Sequence, residues 1–358
     1  QNAEFTGEVF LGHLRYGTFG GHGINAIHPV LRENNWMTRN LVLAGNFNMT
    51  NVDELFERLV SFGQYPTETS DTVTILEKIG HFLDEENERL YQEYKEQGFS
   101  KTEITRLIIR NLNLGTILQR SSKYWDGGYV IAGMLGHGDA FVMRDPSGIR
   151  PAFYYQDEEL LVAASERPVI QTALNVDASQ VHEVRPGHAL IIRRDGQVGE
   201  CVCREPARKT SCSFERIYFS RGTDEDIYRE RKELGRSLAP AILESIGHDL
   251  ENTVFSFIPN TASVAFTGLT DALHNFCDTV KAERLSQLAH PNPEEIRRIL
   301  ALRPRTEQIA VKDVKIRTFI GQEKWRNQLA SHVYDVSYGT VGPEDVLVFV
   351  DDSIVRGT

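Results

Sequence analysis

The stretch Val346 to Val350 is five apolar residues, three of them Val, and it ends on Asp351 and Asp352. A short Val-rich run of this kind reads as a strand buried in a parallel sheet. Ligands of open parallel sheets bind at the C-terminal edge of the strands, where the two acids fall. Ser353 to Thr358 then forms a short loop with hydroxyl residues, Arg356 and one Gly, Gly357. Such a loop can turn its N–H groups inward and lead into a helix N-terminus, which together make an anion site. Two carboxylates beside that site make sense if they accept hydrogen bonds from vicinal hydroxyls. They also favour a carbon that becomes positive as an anion leaves. The chain carries a formal net charge of −11, so any phosphate site must be built locally. The same charge argues against a general nucleic-acid binder.

The 358 residues are enough for about two or three domains. From Gly7 to about Arg204 the sequence reads as short strands and turns around a helical insertion. Val52 to Phe62 and Thr72 to Leu83 carry apolar residues at helical spacing, and Glu85 to Leu118 is charged and amphipathic. Tyr129 to Val142, Ala152 to Tyr155, Leu160 to Ala164 and His188 to Ile192 read as strands, punctuated by Gly and Pro. This pattern predicts a layered α+β domain over residues 1–212. After Pro206 the pattern changes. Phe214 to Phe219 and Val254 to Ile258 read as strands, and Tyr228 to Ile246 and Ala282 to Leu302 as helices, the last broken near Pro291. That alternation predicts a parallel α/β sheet over residues 213–358. Four cysteines and no C-x-x-C make no disulfide scaffold, and a reducing cytoplasm is the expected compartment. No apolar run approaches the ~18 residues of a membrane span.

The run from Val346 through Asp351-Asp352 to Thr358 resembles the phosphate loop of the type I phosphoribosyltransferases, most closely in its amidophosphoribosyltransferase form. Pro259-Asn260-Thr261 resembles that family's Pro-Asp/Glu-Ser/Thr turn near the pyrophosphate, with Asn260 in place of the acid. Arg317-Thr318-Phe319-Ile320 resembles the start of its flexible loop, after which Lys324 and Arg326 are candidate pyrophosphate contacts. Phe214 to Arg221 resembles the segment that joins the two domains of the family.

A second set of residues lies in the first domain. Gly12-His13-Leu14-Arg15-Tyr16-Gly17-Thr18 is similar to G-H-x-R-Y-S/T-T of the class II glutamine amidotransferases, where the Arg grips the substrate carboxylate. Gly45-Asn46-Phe47-Asn48 is similar to H-N-G-N, where the Asn amide and the next N–H form an oxyanion hole. Asn46 and the Phe47 N–H are the corresponding groups here. Gly45 replaces the His and Phe47 the Gly. Ser70-Asp71-Thr72 is similar to the segment whose Asp binds the substrate amine. Trp125 to Tyr129, Arg144 to Pro151 and Ala164 to Glu166 also match and read as scaffold. His13 reads as a structural histidine, and Cys201 and Cys203 as strand thiols.

The resemblance therefore implies an αββα N-terminal-nucleophile glutaminase followed by a phosphoribosyltransferase sheet incomplete at its C-terminus. It implies glutamine and 5-phosphoribosyl-1-pyrophosphate as substrates, 5-phosphoribosylamine as product, and Mg²⁺ carried with the pyrophosphate near Asp351 and Asp352. It also implies a homo-oligomer under purine nucleotide feedback. The family's nucleophile is an N-terminal Cys. No Cys precedes Cys201, so one is expected upstream of Gln1, and this fragment alone is expected to be inactive. Cys212, in C-x-x-E, is the one candidate ligand for an iron–sulfur cluster, which a single ligand leaves undecided. Two other readings stay open: a non-catalytic phosphoribosyl pyrophosphate-binding regulator, and a glutaminase joined to another acceptor domain.

Overall fold

The computed structural model describes residues 6–14, 27–66, 68–290, 292–312 and 334–352. The chain divides into two compact units, Gln1–Cys212 and Ser213–Thr358.

The first unit opens with β1 (Val30–Arg32) and β2 (Leu41–Met49), then α1 (Val52–Ser61), α2 (Asp71–Glu96), α3 (Lys101–Asn111) and α4 (Leu114–Ser122). It continues with β3 (Gly127–Leu135), β4 (Ala140–Arg144), β5 (Phe153–Gln156), β6 (Leu161–Ala164), α5 (Arg167–Leu174), β7 (His182–Glu183), β8 (His188–Ile192) and β9 (Val198–Val202). One sheet has the order β1-β2-β3-β4-β8-β9 and a second the order β6-β5-β7, all antiparallel. Alternation along β3 explains how the larger sheet is used. Tyr129 and Ile131 join Leu41, Leu43 and Phe141 in a core with Ile75, Ile79, Leu83, Ile104, Ile108 and Leu118 of the helices. Val130 points the other way, into a second core with Val142, Leu190, Ala152 and Val184, against which Tyr154, Leu161 and Ala163 of the smaller sheet pack.

The segment from Glu85 to Leu118 is thus part of the main core: α2, α3 and α4 form the layer that covers the sheet. Local signals fix their ends. Ser70 accepts the Val73 N–H at the start of α2, and Ser100 with Glu103 forms a capping box on α3. Inside α2, a Cβ on Gly80 would lie 2.4 Å from Nε of Arg32. The glycine lets that guanidinium cross the helix and reach Glu77 at 3.1 Å and Asp84 at 2.6 Å.

The second unit begins with a π-helical segment, Glu215–Phe219, and α6 (Glu225–Ser245). Then come β10 (Thr253–Phe257), α7 (Ser263–Ser286), α8 (Pro293–Leu300), β11 (Arg305–Thr306), β12 (Ala310–Lys312), β13 (Tyr334–Val336) and β14 (Val346–Val350). β11, β10 and β14 form a parallel sheet in that order, and β12 pairs with β13 antiparallel. Its core joins Phe255 and Val350 to Leu243 of α6 and Leu269, Leu273 and Cys277 of α7.

Two expectations are corrected here. Phe214 to Phe219 is helical, not a strand. The buried Arg231 holds it so, its guanidinium donating to the carbonyls of Arg216 and Ser220. Second, β14 is parallel as its composition requires, but it is not buried along its length. Among the described residues only β10 pairs with it, and Val346, Leu347 and Phe349 are exposed while Val350 is buried.

Candidate functional site

In the first unit the candidate residues gather where β2 meets the start of α2. The Gly45 N–H donates to Nδ1 of His28 at 3.1 Å, and His28 Nε2 lies 3.2 Å from the Thr72 hydroxyl. Because Nδ1 accepts, Nε2 carries the proton and donates to Thr72. Asp71 stands beside Thr72 in the first turn of α2, and its carboxylate accepts the Thr72 N–H at 2.8 Å. The described contacts therefore join Asp71 to β2 through Thr72 and His28. The His28 ring also lies 4.7 Å from that of His13 and 5.5 Å from that of Phe47, centroid to centroid.

Strand parity places the two groups expected to meet an oxyanion. The Thr50 N–H donates to Asp126 on the β3 side. In an antiparallel pair the N–H groups of a strand alternate between its two edges. Asn46 thus points its N–H at β3, while Gly45 and Phe47 point theirs to the opposite edge, toward His28. The Phe47 N–H is not consumed by the β2–β3 ladder. The Asn46 side chain lies on the face shared with Val130, its register partner, and is exposed.

The Gly-Asn-Phe order has a steric reason. Gly45 and Phe47 share a face, and a Cβ on Gly45 would lie 2.9 Å from the Phe47 ring and 2.5 Å from the Val130 carbonyl. The ring fills the space over position 45, so the two departures from His-Asn-Gly depend on each other.

The segments Trp125 to Tyr129 and Arg144 to Pro151 hold tight turns and buried charge. Asp145 is fully buried, and its carboxylate accepts the N–H groups of Ser147, Ile149 and Arg150. Arg144, 2% exposed, donates to the carbonyls of Gly148, Arg150 and Val184 and to Glu183. Gly127, at φ +133, opens β3 where a Cβ would lie 2.2 Å from the Asn48 carbonyl oxygen, so no side chain fits there.

In the second unit the candidate residues gather at the C-terminal edge of the parallel sheet. β10 and β14 run side by side with Phe257 opposite Val350, and the Ile258 N–H donates to the Val350 carbonyl at 2.9 Å. The turn Pro259-Asn260-Thr261 and the pair Asp351-Asp352 therefore leave adjacent strands at the same end. The Pro259–Asn260 peptide is cis. The Asn260 carbonyl accepts the Ser263 hydroxyl at 2.8 Å as α7 begins, and no side chain caps that helix start. Asp351 accepts the Asp352 N–H at 2.8 Å. Partial burial, and then the neighbouring Asp352 carboxylate, raise the Asp351 carboxyl above the usual aspartate range. Among the described residues no group of three or more His, Cys, Asp or Glu side chains is placed to hold a metal ion. Arg15, Lys324, Arg326, the Arg317 to Ile320 segment and Ser353, Ile354, Val355, Arg356, Gly357 and Thr358 lie outside the described residues.

His28 is the participant that the sequence reading missed. A His-Pro pair carries no chemical signature by itself, and its role appears only when Gly45 and Thr72 are brought to it.

These features define a mixed α/β chain with two kinds of candidate site, a polar cluster at a strand edge and an acid pair at the end of a parallel sheet. No family model matches the chain. The chain is related to the amidophosphoribosyltransferases. It is 28% identical over 284 residues to that of Bacillus subtilis (strain 168), covering 76% of this chain and 50% of that protein. To that of Escherichia coli (strain K12) it is 28% identical over 365 aligned residues, covering 98% of this chain and 61% of that protein. The solved glutamine phosphoribosylpyrophosphate amidotransferase of B. subtilis complexed with ADP and GMP matches with a TM-score of 0.63 at 25% identity, over 96% of this chain and 61% of that one. A structure described as the allosteric regulatory enzyme of purine biosynthesis matches with a TM-score of 0.64 at 25% identity, over 97% of this chain. The chain spans about half the length of the curated relatives it matches. No helix among the described residues is long and apolar enough to cross a membrane.

Proposed function

We propose that this chain supplies the glutaminase and the phosphoribosyl pyrophosphate-binding parts of an amidophosphoribosyltransferase. The observation that carries the reading is the placement of Asp351 and Asp352 beside the Pro259-Asn260 turn, at the ligand edge of a parallel sheet, in a chain that also carries the Asn46 strand and Asp71. Residues 1–212 are the glutaminase domain, with the layers of an N-terminal-nucleophile fold, and residues 213–358 are the phosphoribosyltransferase domain. Glutamine and water give glutamate and ammonia in the first. In the second, ammonia attacks C1 of the ribose, the C1–O bond breaks, and pyrophosphate leaves with 5-phosphoribosylamine as product.

The residues divide the work by charge. Arg15 pairs with the glutamine α-carboxylate and Asp71 with its α-amine. The Asn46 amide and the Phe47 N–H donate to the oxygen that becomes negative in the tetrahedral intermediate. His28 is a positioning residue that ties Gly45, two residues from the donating N–H, to the helix start that presents Asp71. Asp351 and Asp352 accept the ribose hydroxyls and stabilise the positive charge that grows on C1. The loop from Ser353 to Thr358, with Lys324 and Arg326, meets the phosphates. Hard carboxylate oxygens suit Mg²⁺, which usually binds one or two carboxylates together with substrate phosphates. Asp351 and Asp352 would hold it there, and it would supply neutralisation of the pyrophosphate charge. Purine nucleotides are the expected regulators, and a similar protein is solved in complex with ADP and GMP. The enzyme is expected to be a cytoplasmic homo-oligomer.

The test is an assay of the full encoded protein with glutamine, phosphoribosyl pyrophosphate and Mg²⁺. Glutamate and pyrophosphate released one to one support the reading. Phosphoribosyl pyrophosphate binding with no glutamate formed would instead favour a regulator that has lost its glutaminase, the outcome the Gly45–Phe47 exchange invites.

A further inference from the structure

Cys201 and Cys203 place their sulfurs 3.7 Å apart, in van der Waals contact, at the end of β9. β9 is the last strand of the six-stranded order, and among the described residues it pairs with β8 alone. The two thiols differ in access. Cys203 is 2% exposed within the main core, whereas Cys201 is half-buried and lines a surface cavity of about 300 Å³ with Asn113, Gly115, Arg193, Gln197 and Glu200. The thiol of Cys201 packs against the backbone of α4, where a Cβ on Gly115 would come within 3.1 Å of the sulfur. We propose that Cys201 and Cys203 form an oxidisable dithiol, in which a hydroperoxide entering this cavity reacts at Cys201 and Cys203 closes a disulfide.

The geometry suits each step. Cys201 is the accessible sulfur, and the Cys203 thiol's hydrogen bond to it, outweighing burial, lowers its pKa. The same contact, with burial, pushes Cys203 up, so Cys203 keeps its proton. The Glu200 carboxylate on the cavity wall opposes the lowering at Cys201 without cancelling it, and the Arg193 guanidinium nearby is paired with Asp139 at 2.8 Å. The Cys201 thiolate attacks one peroxide oxygen, the O–O bond breaks, and the other oxygen leaves as water or an alcohol after taking a proton. The Cys203 sulfur then attacks the Cys201 sulfenic acid. The S–S bond forms, the S–O bond breaks, and hydroxide leaves as water with the Cys203 proton. Two electrons pass from the thiols to the peroxide. Closing to the ~2.05 Å of a disulfide requires the sulfurs to approach further. The pair sits where β9 leaves the ladder: Val202 is its last paired residue, and the Cys203 N–H turns to the Gly187 carbonyl. Sheet edges are where strands most often bulge and bend.

The experiment treats the full protein with limiting hydrogen peroxide, blocks remaining thiols with a maleimide after unfolding, and maps the peptides. Trypsin releases residues 195–204 as one piece that holds both cysteines and no other. The expected result is that this peptide loses two hydrogens and escapes the maleimide, while Cys212 and Cys277 are labelled, and that a dithiol reductant restores both sites. With Cys203→Ser, the disulfide is lost and a sulfenic acid at Cys201 is trapped by a 1,3-dione. A second measurement needs no variant: native maleimide labelling should modify Cys201 roughly tenfold faster than Cys203, as thiolate character and exposure dictate. The proposal is overturned if residues 195–204 stay reduced at peroxide levels that oxidise Cys212, or if the two cysteines are labelled at equal rates.

Discussion

In the first unit the candidate site is tied by side chains from distant segments: the His28 imidazole spans the Gly45 N–H and the Thr72 hydroxyl. In the second unit the candidate site is set by strand order, because β10 and β14 lie parallel and release Pro259-Asn260 and Asp351-Asp352 at one end. A site set by topology should tolerate local exchange, such as Asn260 in place of an acid. A site tied by single side chains does not, and its departures must come in matched sets, as Gly45 with Phe47 do.

Four changes would break or sharpen this contrast. The largest effect is expected from Asp351→Asn with Asp352→Asn. Removing both carboxylates should lower pyrophosphate release by about 10²–10³, the scale of losing charge stabilisation at a reacting centre. Glutamine hydrolysis by the isolated first reaction should change little. A parallel loss of glutamine hydrolysis would mean that the two sites are not separately built.

Next is Gly45→Ala. A methyl group 2.5 Å from the Val130 carbonyl and 2.9 Å from the Phe47 ring should cost about 1–3 kcal/mol, read by urea unfolding. Adding Phe47→Gly should recover part of that cost, since groups in contact couple. Strict additivity of the two changes would refute the matched exchange.

His28→Ala should be milder. Leaving the Gly45 N–H without its acceptor is worth about 1–3 kcal/mol, which corresponds to roughly tenfold or more in glutamine turnover if the strand shifts. Ammonia-dependent synthesis should be spared, because it bypasses the first site. His28→Gln, which keeps an acceptor, should restore part of the rate, whereas an unchanged rate in His28→Ala would remove its positioning role.

The smallest effect is in pH. The Asp351 carboxyl is raised by partial burial and by the Asp352 charge. Its folded value lies above its unfolded one, so its ionisation costs stability as pH rises through the window between them. Ligand hydroxyls need the ionised form. Phosphoribosyl pyrophosphate affinity should therefore begin to fall, on acidification, at a pH above the ordinary aspartate value of about 4. Titration by calorimetry would check this, and Asp352→Asn should move the onset down.

Much of this arrangement is legible in the sequence, and for physical reasons. Val346 to Val350 is a strand by composition, and Val52 to Phe62 is a helix by the spacing of its apolar residues, because short-range preference and tertiary burial agree there. Phe214 to Phe219 misleads because aromatic and β-branched residues favour strands locally, while Arg231, far along the chain, takes the carbonyls of Arg216 and Ser220. The exposure of β14 is likewise invisible, since a Val-rich run reports its own preference and not how many neighbours flank it. His28 was unreadable because its partners lie 17 and 44 residues away. The Asn46 and Asp71 motifs stand out in the sequence as candidates, but the edge toward which the Phe47 N–H points required the β2–β3 register.

We propose that ammonia made from glutamine at the first site is consumed at the second. Glutamine labelled with ¹⁵N at its amide tests this in the full encoded protein with phosphoribosyl pyrophosphate and Mg²⁺, in the presence of unlabelled ammonium. If ammonia passes from the first site to the second, the amine nitrogen on C1 of the phosphoribosyl product carries the label, in step with pyrophosphate release. Label appearing only as free ammonium, with pyrophosphate release indifferent to glutamine, would contradict it.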